Sequence, residues 1–478
     1  MLSCYTLVLI YLFLIRTYIY FAYLIGIIND LRIGKGSVNM KKKIINSFII
    51  LSASSAITKL FSIINRMVLA RLLDSNGMAL FVLLLPTLSL CITLGQLGIP
   101  SAVFRLISNP KYNNKKIIIS ASTISFFTCI IVVLGLALSS RYIAFNLLKS
   151  PDAWLPLLSL CAFIPLVGIS GILKNYFMAK ENVYLVAKAQ FLEEIARLAF
   201  SYFMISRFQD SHITILITFV FLSMSLGELC AIIYMTYRLK VRPRKLTITK
   251  EYVKENLQLK DMLNIAMPLT GSRLYHSLVS FLEPITLLFV LTGLHMTQSE
   301  IQYEYAVISG FVISMLVTPT FFNNVIYRLF LPIITKDIIY NKKESARRHL
   351  LLALLACFLI SLPFTIIFYY FPEAALSIIY NTTDGANYLR YMAIPFTLFY
   401  LQTPLSATLH ALNKNKIIFM ISFIECSLEI ILTYLLAFHF QVLSVAISLL
   451  IGLLVTLIIS AAFVFYYVFK DNNKELAA

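Results

Sequence analysis

The stretch QVLSVAISLLIGLLVTLIISAAFVFYYVF (441–469) contains no charged residue in 29 consecutive positions. A helix of about 20 apolar residues crosses the hydrocarbon core of a bilayer, so this stretch is long enough to span a membrane. The whole chain of 478 residues has the same character, with 59% apolar residues, 13% charged residues and a mean hydropathy of +0.84. A soluble protein has about twice that charged fraction and could not cover so much apolar surface. The composition therefore predicts a polytopic helical membrane protein, and it excludes a soluble enzyme, a disordered scaffold and a disulfide-stapled secreted domain.

Apolar runs of spanning length recur along the chain and are joined by short connections. We predict an all-α fold with about twelve transmembrane helices, preceded by one further apolar run at 5–28. The twelve predicted spans lie near 44–73, 78–107, 117–139, 154–178, 183–206, 212–237, 261–291, 306–333, 349–371, 386–411, 416–438 and 441–469. The longest connection is the basic stretch Arg238–Lys260, which is too short to form a separate soluble domain.

The net charge of +18 is distributed unevenly among the loops. Loops on one side of the predicted bundle collect most of the Lys and Arg, including eight between Arg238 and Lys260. Loops on the other side carry only Arg141, Lys149, Arg207 and Arg390. Cytoplasmic loops of membrane proteins are enriched in Lys and Arg, so we expect a multi-pass protein of a bacterial plasma membrane with both ends of the twelve-helix body in the cytoplasm. We therefore attribute the positive charge to cytoplasmic loops that lie beside membrane lipid, and we expect no nucleic-acid partner.

Residues 1–39 have two interpretations that the sequence leaves open. Their apolar run has Arg16 at its centre, which would cost roughly 2.5–3.5 kcal/mol in a helix that spans the membrane alone. The run also lacks the small-residue cleavage site of a secretory signal. The segment is therefore either a translated leader ahead of a start at Met40 or a genuine extra helix.

An internal repeat divides the body into two halves. The segment AKENVYLVAKAQFLEEIARL (179–198) aligns with ALNKNKIIFMISFIECSLEI (411–430) at an offset of 232, which places Glu193 opposite Glu425. The repeat predicts two pseudo-repeated six-helix lobes around a central cavity, a parallel arrangement seen in many transporters. The predicted domains are an N-terminal lobe at 40–240, a basic cytoplasmic linker at 241–260, a C-terminal lobe at 261–470 and a cytoplasmic tail at 471–478.

The first predicted helix of the body carries a polar stripe. Its members, which lie three or four residues apart on one helix face, are Ser52, Ser55, Lys59, Ser62 and Arg66. A cation that faces lipid is costly, so charged residues in a span usually face a protein interior or a wet cavity. We predict that Lys59 and Arg66 line such a cavity. The alternatives are snorkelling to the membrane surface and ion pairing between helices.

The seventh predicted helix carries a second polar stripe with Arg273 beside it. The stripe consists of Pro268, Ser272, His276, Ser280 and Glu283. Corresponding helices of the two halves thus both bear polar residues, which predicts a shared cavity of mainly cationic character. Glu283 is a candidate ion-coupling carboxylate or a partner of Arg273, and His276 is a candidate proton site or a structural histidine. Four other glutamates lie near predicted helix ends and are weaker candidates: Glu193, Glu194, Glu228 and Glu425.

The sequence contains no GxxxxGK[ST] motif for ATP hydrolysis and no CxxC or Cys/His cluster for a metal. No large outer loop carries paired acids for glycosyl transfer. We therefore expect neither an enzyme nor a bound cofactor or metal, and transport would draw its energy from an ion gradient, the membrane potential or the substrate gradient.

Four motifs occur in order along the chain: RMVLARLL (66–73), GIPSA (98–102), SGFVISMLVTP (309–319) and LFLPIITK (329–336). With these motifs, most of residues 41–470 resembles the polysaccharide-biosynthesis exporters. The likeness is to the stage V sporulation protein B-like family of oligosaccharide flippases. That family belongs to the multidrug/oligosaccharidyl-lipid/polysaccharide exporter superfamily.

The resemblance implies a flippase that moves undecaprenyl-pyrophosphate-linked oligosaccharides across the plasma membrane for cell-wall, capsule or other surface polysaccharide synthesis. It also implies glycosyltransferases or polymerases of the same pathway as partners. In the related lipid II flippases, basic residues of the first helix contact the substrate pyrophosphate, and Lys59 and Arg66 occupy similar positions. Those flippases keep further cavity arginines on the second and eighth helices, whereas 80–100 and 305–327 carry no charge here. Arg273 is the expected substitute.

Two alternative functions stay open at this stage. A multidrug/cation antiporter of the same superfamily would need a carboxylate-rich cavity for its cationic cargo, whereas the first helix is basic. A membrane polysaccharide polymerase or ligase would need catalytic loops on the outer face, which the sequence lacks.

Reporter fusions test the predicted topology. Fusions at Lys245 and Lys343 should report a cytoplasmic location and a fusion at Gly293 an external one, because the first two sites lie in Lys- and Arg-rich loops. The opposite readout at two of these three positions would contradict the predicted orientation.

Overall fold

The computed structural model describes residues 58–108, 114–241 and 259–469, and every secondary-structure element in these ranges is helical. In chain order the helices are α1 (58–72), α2 (Ser75–Gln96), α3 (Ile99–Ser108), α4 (Asn114–Tyr142), α5 (Trp154–Ala179), α6 (Val183–Arg207), α7 (Ile213–Val241), α8 (Leu259–Gly293), α9 (Gln298–Val317), α10 (Thr320–Ile339), α11 (Lys343–Tyr370), α12 (Pro372–Tyr380), α13 (Ala386–Ala411), α14 (Asn415–Phe440) and α15 (Leu443–Val464). The all-α prediction is confirmed. The leader at 1–39, most of the linker at 241–260 and the tail at 471–478 lie outside the described residues, as do Ser52 and Ser55.

Each predicted span coincides with a helix or a pair of helices, although only 58–72 of the first span is described. In the described ranges, eight helices are long and apolar enough to cross a membrane, or nine if the bent pair α9 and α10 forms one span. Helix α6 is not in this set because its middle carries three charged residues, Glu193, Glu194 and Arg197. The chain is therefore a multi-pass membrane protein, and the count of twelve spans stays a prediction.

The helices pack as two lobes inside one compact unit. In the N-terminal lobe, α7 packs against both α5 and α6, and α4 packs against α5. In the C-terminal lobe, α13 packs against α10, α11 and α15, and α14 packs against α8 and α15. The expected two-lobe fold is confirmed.

The lobes meet along α2, which packs against α8 and α9. Midway along this interface, the hydroxyls of Thr93 and Ser277 are 2.8 Å apart. Near the end of the bundle that is predicted to face the cytoplasm, Gly98 adopts a left-handed φ of +65°, and a Cβ there would lie 2.8 Å from the carbonyl oxygen of Ala266. The GIPSA motif (98–102) thus needs glycine for the turn between α2 and α3 and for the close approach of α8.

A second close approach between the lobes occurs toward the opposite end of α2. Gly310 lies in a π-helical stretch of α9 (Ala306–Ile313) and contacts Val82 of α2. A Cβ added at Gly310 would overlap both methyl groups of Val82 and would lie 2.8 Å from Cγ1. The SGFVISMLVTP motif (309–319) therefore supplies the small residue that lets the lobes touch.

Replacing Gly310 tests this contact. Gly310→Ala should lower the yield of folded protein and its melting temperature in detergent, because overpacking costs about 1–3 kcal/mol. Val82→Ala in the same chain should restore most of the loss. Gly135→Ala is the matched control, since a Cβ at that position meets nothing within 4 Å. If Gly310→Ala behaved like Gly135→Ala, the lobes would not be in tight contact here.

Candidate functional site

Helix α1 carries the predicted cations and lies against α6. Lys59 and Arg66 are half-buried, whereas Ile64 on another face is 41% exposed. The rings of Phe61 and Phe191 meet edge-on with centroids 5.1 Å apart, and the Ser201 hydroxyl donates to Asn65 Oδ1 at 3.3 Å. Uncharged contacts therefore hold α1 on α6, and the face of α1 with the two cations is partly enclosed by protein.

Arg66 reaches from the N-terminal lobe to the C-terminal lobe. Its Nη1 donates to the hydroxyl of Tyr380 at 3.2 Å, and the Tyr380 ring is buried against Phe311 with centroids 4.7 Å apart. Five residues further on, the exposed Arg71 donates from Nη2 to the carbonyl oxygen of Ile378 at 3.2 Å. Arg66 thus lies at the boundary between the lobes, where an anion held between them would meet it.

Five charged side chains form a network inside the N-terminal lobe, which we call the N-lobe charge cluster. Its members come from α5, α6 and α7 and are Lys174, Glu193, Glu194, Arg197 and Glu228. Lys174 Nζ lies 2.8 Å from Glu193 and 3.0 Å from Glu228. Arg197 lies 2.9 Å from Glu193 and 3.3 Å from Glu194. Each glutamate is only 7% exposed, so the cations are needed to offset its desolvation.

Lys59 of α1 lies outside this network, because no hydrogen bond or ion pair joins it to a member of the cluster among the described residues. Glu194 attracts Lys59, and Arg66 on its own helix repels it. Counted as ionised, the three glutamates and two cations of the N-lobe charge cluster carry a net charge of −1.

The C-terminal lobe contains three carboxylates of a different kind, which we call the C-lobe carboxylates: Glu283 on α8 and Glu425 and Glu429 on α14. Glu283 is 8% exposed, and the other two are half-buried. Glu429 repels both Glu283 and Glu425. In the described part of the chain, no ion pair joins the C-lobe carboxylates to a Lys or Arg. Among the described residues, the C-lobe carboxylates form no group of three or more with other Asp, Glu, His or Cys side chains that could hold a metal ion.

The remaining candidates on α8 lie apart from the cations of α1. His276 is exposed, and its Nδ1 lies 3.4 Å from Cys426 Sγ. Arg273 is also exposed, one turn from Ser277, which contacts α2. Among the described contacts, none joins Arg273 to Lys59, to Arg66 or to Glu283. The structure thus brings Lys59 and Arg66 onto one face, and the assigned roles of Arg273, His276 and Glu283 stay predictions.

In each lobe, a glycine of the following helix lies beside the repeated glutamate. A Cβ at Gly227 of α7 would lie 2.8 Å from the carbonyl oxygen of Glu193, and a Cβ at Gly452 of α15 would lie 3.9 Å from that of Glu425. At the same offset of 232, Arg197 corresponds to Glu429. The two lobes therefore share a helix packing but carry opposite charges at an equivalent position.

The prediction that Glu193, Glu194, Glu228 and Glu425 lie near helix ends was wrong. Glu193 is the eleventh residue of α6, Glu228 is the sixteenth residue of α7 and Glu425 is the eleventh residue of α14. Lys174 was not predicted, although its position in an apolar span was the available signal. A further cation, Arg328 of α10, falls one residue beyond the charge-free stretch 305–327. It is exposed and lies within 4 Å of no carboxylate that the structure describes.

The profile of a family described as polysaccharide biosynthesis protein matches residues 44–336, more than half of the chain. The chain belongs to the polysaccharide biosynthesis protein family. The resemblance noted from the motifs is thereby confirmed. A second profile, described as MatE, matches residues 330–435 and so includes Glu425 and Glu429.

Individual proteins agree with this family assignment. Stage V sporulation protein B of Bacillus subtilis (strain 168) is 26% identical over 406 residues, which cover 83% of this chain and 78% of that protein. Sporulation protein YkvU of the same organism is 21% identical over 385 residues, covering 78% and 84%. The inward-facing structure of a multidrug resistance MATE family transporter of the MOP superfamily superposes with a TM-score of 0.67 at 13% identity, covering 88% of this chain and 98% of that one. The family profile and the fold thus agree: the chain belongs to the polysaccharide biosynthesis protein family and has the fold of that transporter.

The N-lobe charge cluster makes a testable contribution to stability. Lys174→Met should lower the yield of folded protein sharply, because removing one partner of a buried ion pair costs about 3–5 kcal/mol. Adding Glu228→Gln should restore part of the yield, since a neutral amide needs no cation. Fluorescence-detected size exclusion and melting in detergent measure both effects.

Arg390→Met serves as the control for this experiment. It breaks the exposed pair of Arg390 and Glu373 at 2.9 Å and should cost at most about 1 kcal/mol. A loss for Lys174→Met no larger than for Arg390→Met would show that the buried pairs contribute little.

Proposed function

We propose that this protein is a flippase that translocates undecaprenyl-pyrophosphate-linked oligosaccharide precursors across the bacterial plasma membrane by alternating access. Its family supports a role in making surface polysaccharide, and its fold supports movement of the two lobes against each other. The observation that carries the substrate assignment is the pair Lys59 and Arg66, half-buried on one face of α1. Both ends of the helical body are proposed to lie in the cytoplasm.

A pyrophosphate suits this pair of cations. Lys59 and Arg66 are seven residues apart, so their Cα atoms are separated by about 10 Å along the helix axis. The planar guanidinium of Arg66 can donate two parallel hydrogen bonds to two phosphate oxygens. The ammonium group of Lys59 can stay close to a moving phosphate because its side chain is long and flexible. The sugar headgroup would then cross between the lobes while the polyprenyl tail stays in lipid.

The hydrogen bond between Arg66 and Tyr380 is compatible with substrate binding. A pyrophosphate oxygen would replace the Tyr380 hydroxyl as acceptor. Arg66 would then donate to a charged acceptor and not to a neutral one. Because Tyr380 belongs to the other lobe, the same exchange would loosen a contact between the lobes. We further propose that Arg273, exposed beside the α2 interface, contacts the headgroup during its passage.

The C-lobe carboxylates supply a candidate for ion coupling. Glu283 is buried and repelled by Glu429, so a proton or another small cation bound there would relieve the repulsion. We propose Glu283 as the coupling carboxylate, with His276 as an accessory proton site on the same helix. Without the ion, the carboxylates would favour a conformation in which they are hydrated.

The same carboxylates favour a second candidate function, a multidrug/cation antiporter. A cationic cargo would be attracted to Glu283, Glu425 and Glu429, and the MatE profile covers the last two. The two functions make opposite demands on α1, because a cationic cargo gains nothing from Lys59 and Arg66. Substitution of these residues therefore separates the candidates.

Single Lys59→Ala and Arg66→Ala variants should accumulate normally but translocate a lipid-linked oligosaccharide about 10- to 100-fold more slowly in proteoliposomes. The estimate follows from the roughly 1.5–3 kcal/mol that a hydrogen bond to a charged group contributes. Arg66→Lys should keep partial activity, because lysine retains the positive charge but cannot donate the two parallel hydrogen bonds of a guanidinium.

Arg71→Ala is the matched control for these variants. Arg71 is exposed on the same helix and contacts the same segment of the other lobe, so its loss should leave transport nearly unchanged. Full transport of the oligosaccharide by a Lys59→Ala/Arg66→Ala variant would disprove the proposal. Efflux of organic cations that survives this double change but fails in Glu283→Gln would favour the antiporter.

A further inference from the structure

Helix α12 lies at the end of the bundle opposite Gly98, where it contacts α1 of the other lobe. Tyr380, the last residue of α12, accepts from Arg66 Nη1 at 3.2 Å. At the same end, Gln302 Nε2 of α9 donates to the carbonyl oxygen of Leu148, between α4 and α5, at 3.0 Å. Hydrogen bonds donated from both lobes therefore join the lobes here, on the side that is predicted to face the outside of the cell.

Helix α12 is fixed to the C-terminal lobe. The Tyr380 side chain is buried, and its ring packs on Phe311 of α9 with centroids 4.7 Å apart. The turn after α12 contains Gly385 at a φ of +87°, where a Cβ would lie 2.8 Å from Val307 and 2.8 Å from Val312, both on α9. Because only glycine suits this conformation and this space, the turn is held against α9. We therefore expect α12 to move together with the C-terminal lobe.

The acids beside α12 are engaged within their own lobe. Glu373 forms an ion pair with an arginine of α13 at 2.9 Å, and Asp384 accepts from the hydroxyl of Tyr303. Arg66 therefore meets a neutral hydroxyl, and among the described residues no ion pair joins the two lobes. Hydrogen bonds between a guanidinium and a charged acceptor are about twice as strong as neutral ones, so an anion can take Arg66 from Tyr380.

The nearby Arg71 adds little to the connection between α1 and α12. Its side chain is exposed where it donates to the carbonyl oxygen of Ile378, so water competes for both partners. Arg66 is half-buried and its acceptor Tyr380 is buried, so water competes less there. The hydrogen bond of Arg66 to Tyr380, which we call the latch, is therefore the main polar contact between α1 and α12.

We propose that α12 is an outer gate between the lobes, that the latch holds this gate closed in the empty protein, and that a pyrophosphate bound to Arg66 releases it. The release step rests on the proposed function, because it needs an anionic substrate at Arg66, whereas the latch itself does not. Arg66 stays charged throughout and only exchanges its acceptor. The outer end of the protein would thus open when the substrate is in place and stay closed without it.

The latch has a consequence for affinity. The Tyr380 hydroxyl competes with the substrate for Arg66, so part of the binding free energy is spent on breaking the latch. Tyr380→Phe removes the hydroxyl and keeps the ring on Phe311. This variant should therefore bind a pyrophosphate more tightly than the wild type, by about tenfold in Kd. A residue that merely stabilises the fold would not raise the affinity when it is removed.

Double electron–electron resonance on the full chain in lipid nanodiscs tests the gate. Spin labels are attached at Ala374→Cys on α12 and at Asn146→Cys in the other lobe, both exposed positions, after the seven native cysteines are replaced by alanine. With the latch intact, the empty protein should give mainly one short distance between the labels. Tyr380→Phe should raise the ratio of open to closed molecules about tenfold and so populate a longer distance. Undecaprenyl pyrophosphate should populate the same longer distance without the substitution.

Tyr388→Phe is the matched control for the latch. Its hydroxyl donates to Glu304 at 3.5 Å within the C-terminal lobe, so its loss should leave the distances as in the wild type. Undecaprenol is the matched control for the ligand, because it has the same hydrocarbon chain and no pyrophosphate. It should leave the gate closed.

The outcomes separate the gate from the proposed function. Equal distances in the wild type and Tyr380→Phe would overturn the gate and leave the flippase proposal, which the transport assay measures, intact. A pyrophosphate that binds and leaves the wild type closed would overturn its release by substrate. Absence of binding would contradict the proposed function and the release, whereas the latch, measured without ligand, would stand. If the cysteine-free chain does not fold, calorimetry on chains with native cysteines decides, and equal affinity of the wild type and Tyr380→Phe overturns the latch.

Discussion

A charged side chain inside an apolar bundle has to find its counter-charge within the protein, and the polar architecture of this chain follows from that constraint. Water is not available to solvate Glu193, Glu194 and Glu228, so Lys174 and Arg197 neutralise them. Arg197 pairs within α6, whereas the ion pairs of Lys174 join α5, α6 and α7, and the approach of α7 to α6 at Gly227 lets these charges meet. Packing and charge neutralisation in the N-terminal lobe are thus parts of one arrangement.

The two lobes resolve the same constraint differently. Both place a glutamate of the repeat against a glycine of the following helix, Glu193 on Gly227 and Glu425 on Gly452. The N-terminal lobe adds Arg197, whereas the C-terminal lobe has Glu429 at the corresponding position. A duplicated scaffold therefore carries ion-paired carboxylates in one half, whereas the C-lobe carboxylates have no Lys or Arg partner among the described residues.

The boundary between the lobes combines rigid and exchangeable contacts. Along α2, small residues allow backbone-level packing: Gly98 against Ala266 and Gly310 against Val82. Beside them, the contact of Arg66 with Tyr380 is a single hydrogen bond between a cation and a neutral hydroxyl. The hydrogen bond can exchange its acceptor without any change in backbone packing, whereas the two glycine contacts separate only if the lobes move against each other.

The sequence by itself determined the helical membrane fold, the positions of the helices and the division into two repeated lobes. These features follow from local rules, because the length and hydropathy of each run decide whether it can cross a bilayer. The stripe of Lys59 and Arg66 could also be predicted from a local rule, since helical periodicity alone places both residues on one face. The tertiary structure decided which charges are neutralised. Lys174 pairs with Glu193 and Glu228, which come from two other helices, and these pairs depend on how the helices pack, which no spacing along the chain encodes. The same holds for Arg66 and Tyr380, which are 314 residues apart and meet only because the two lobes do.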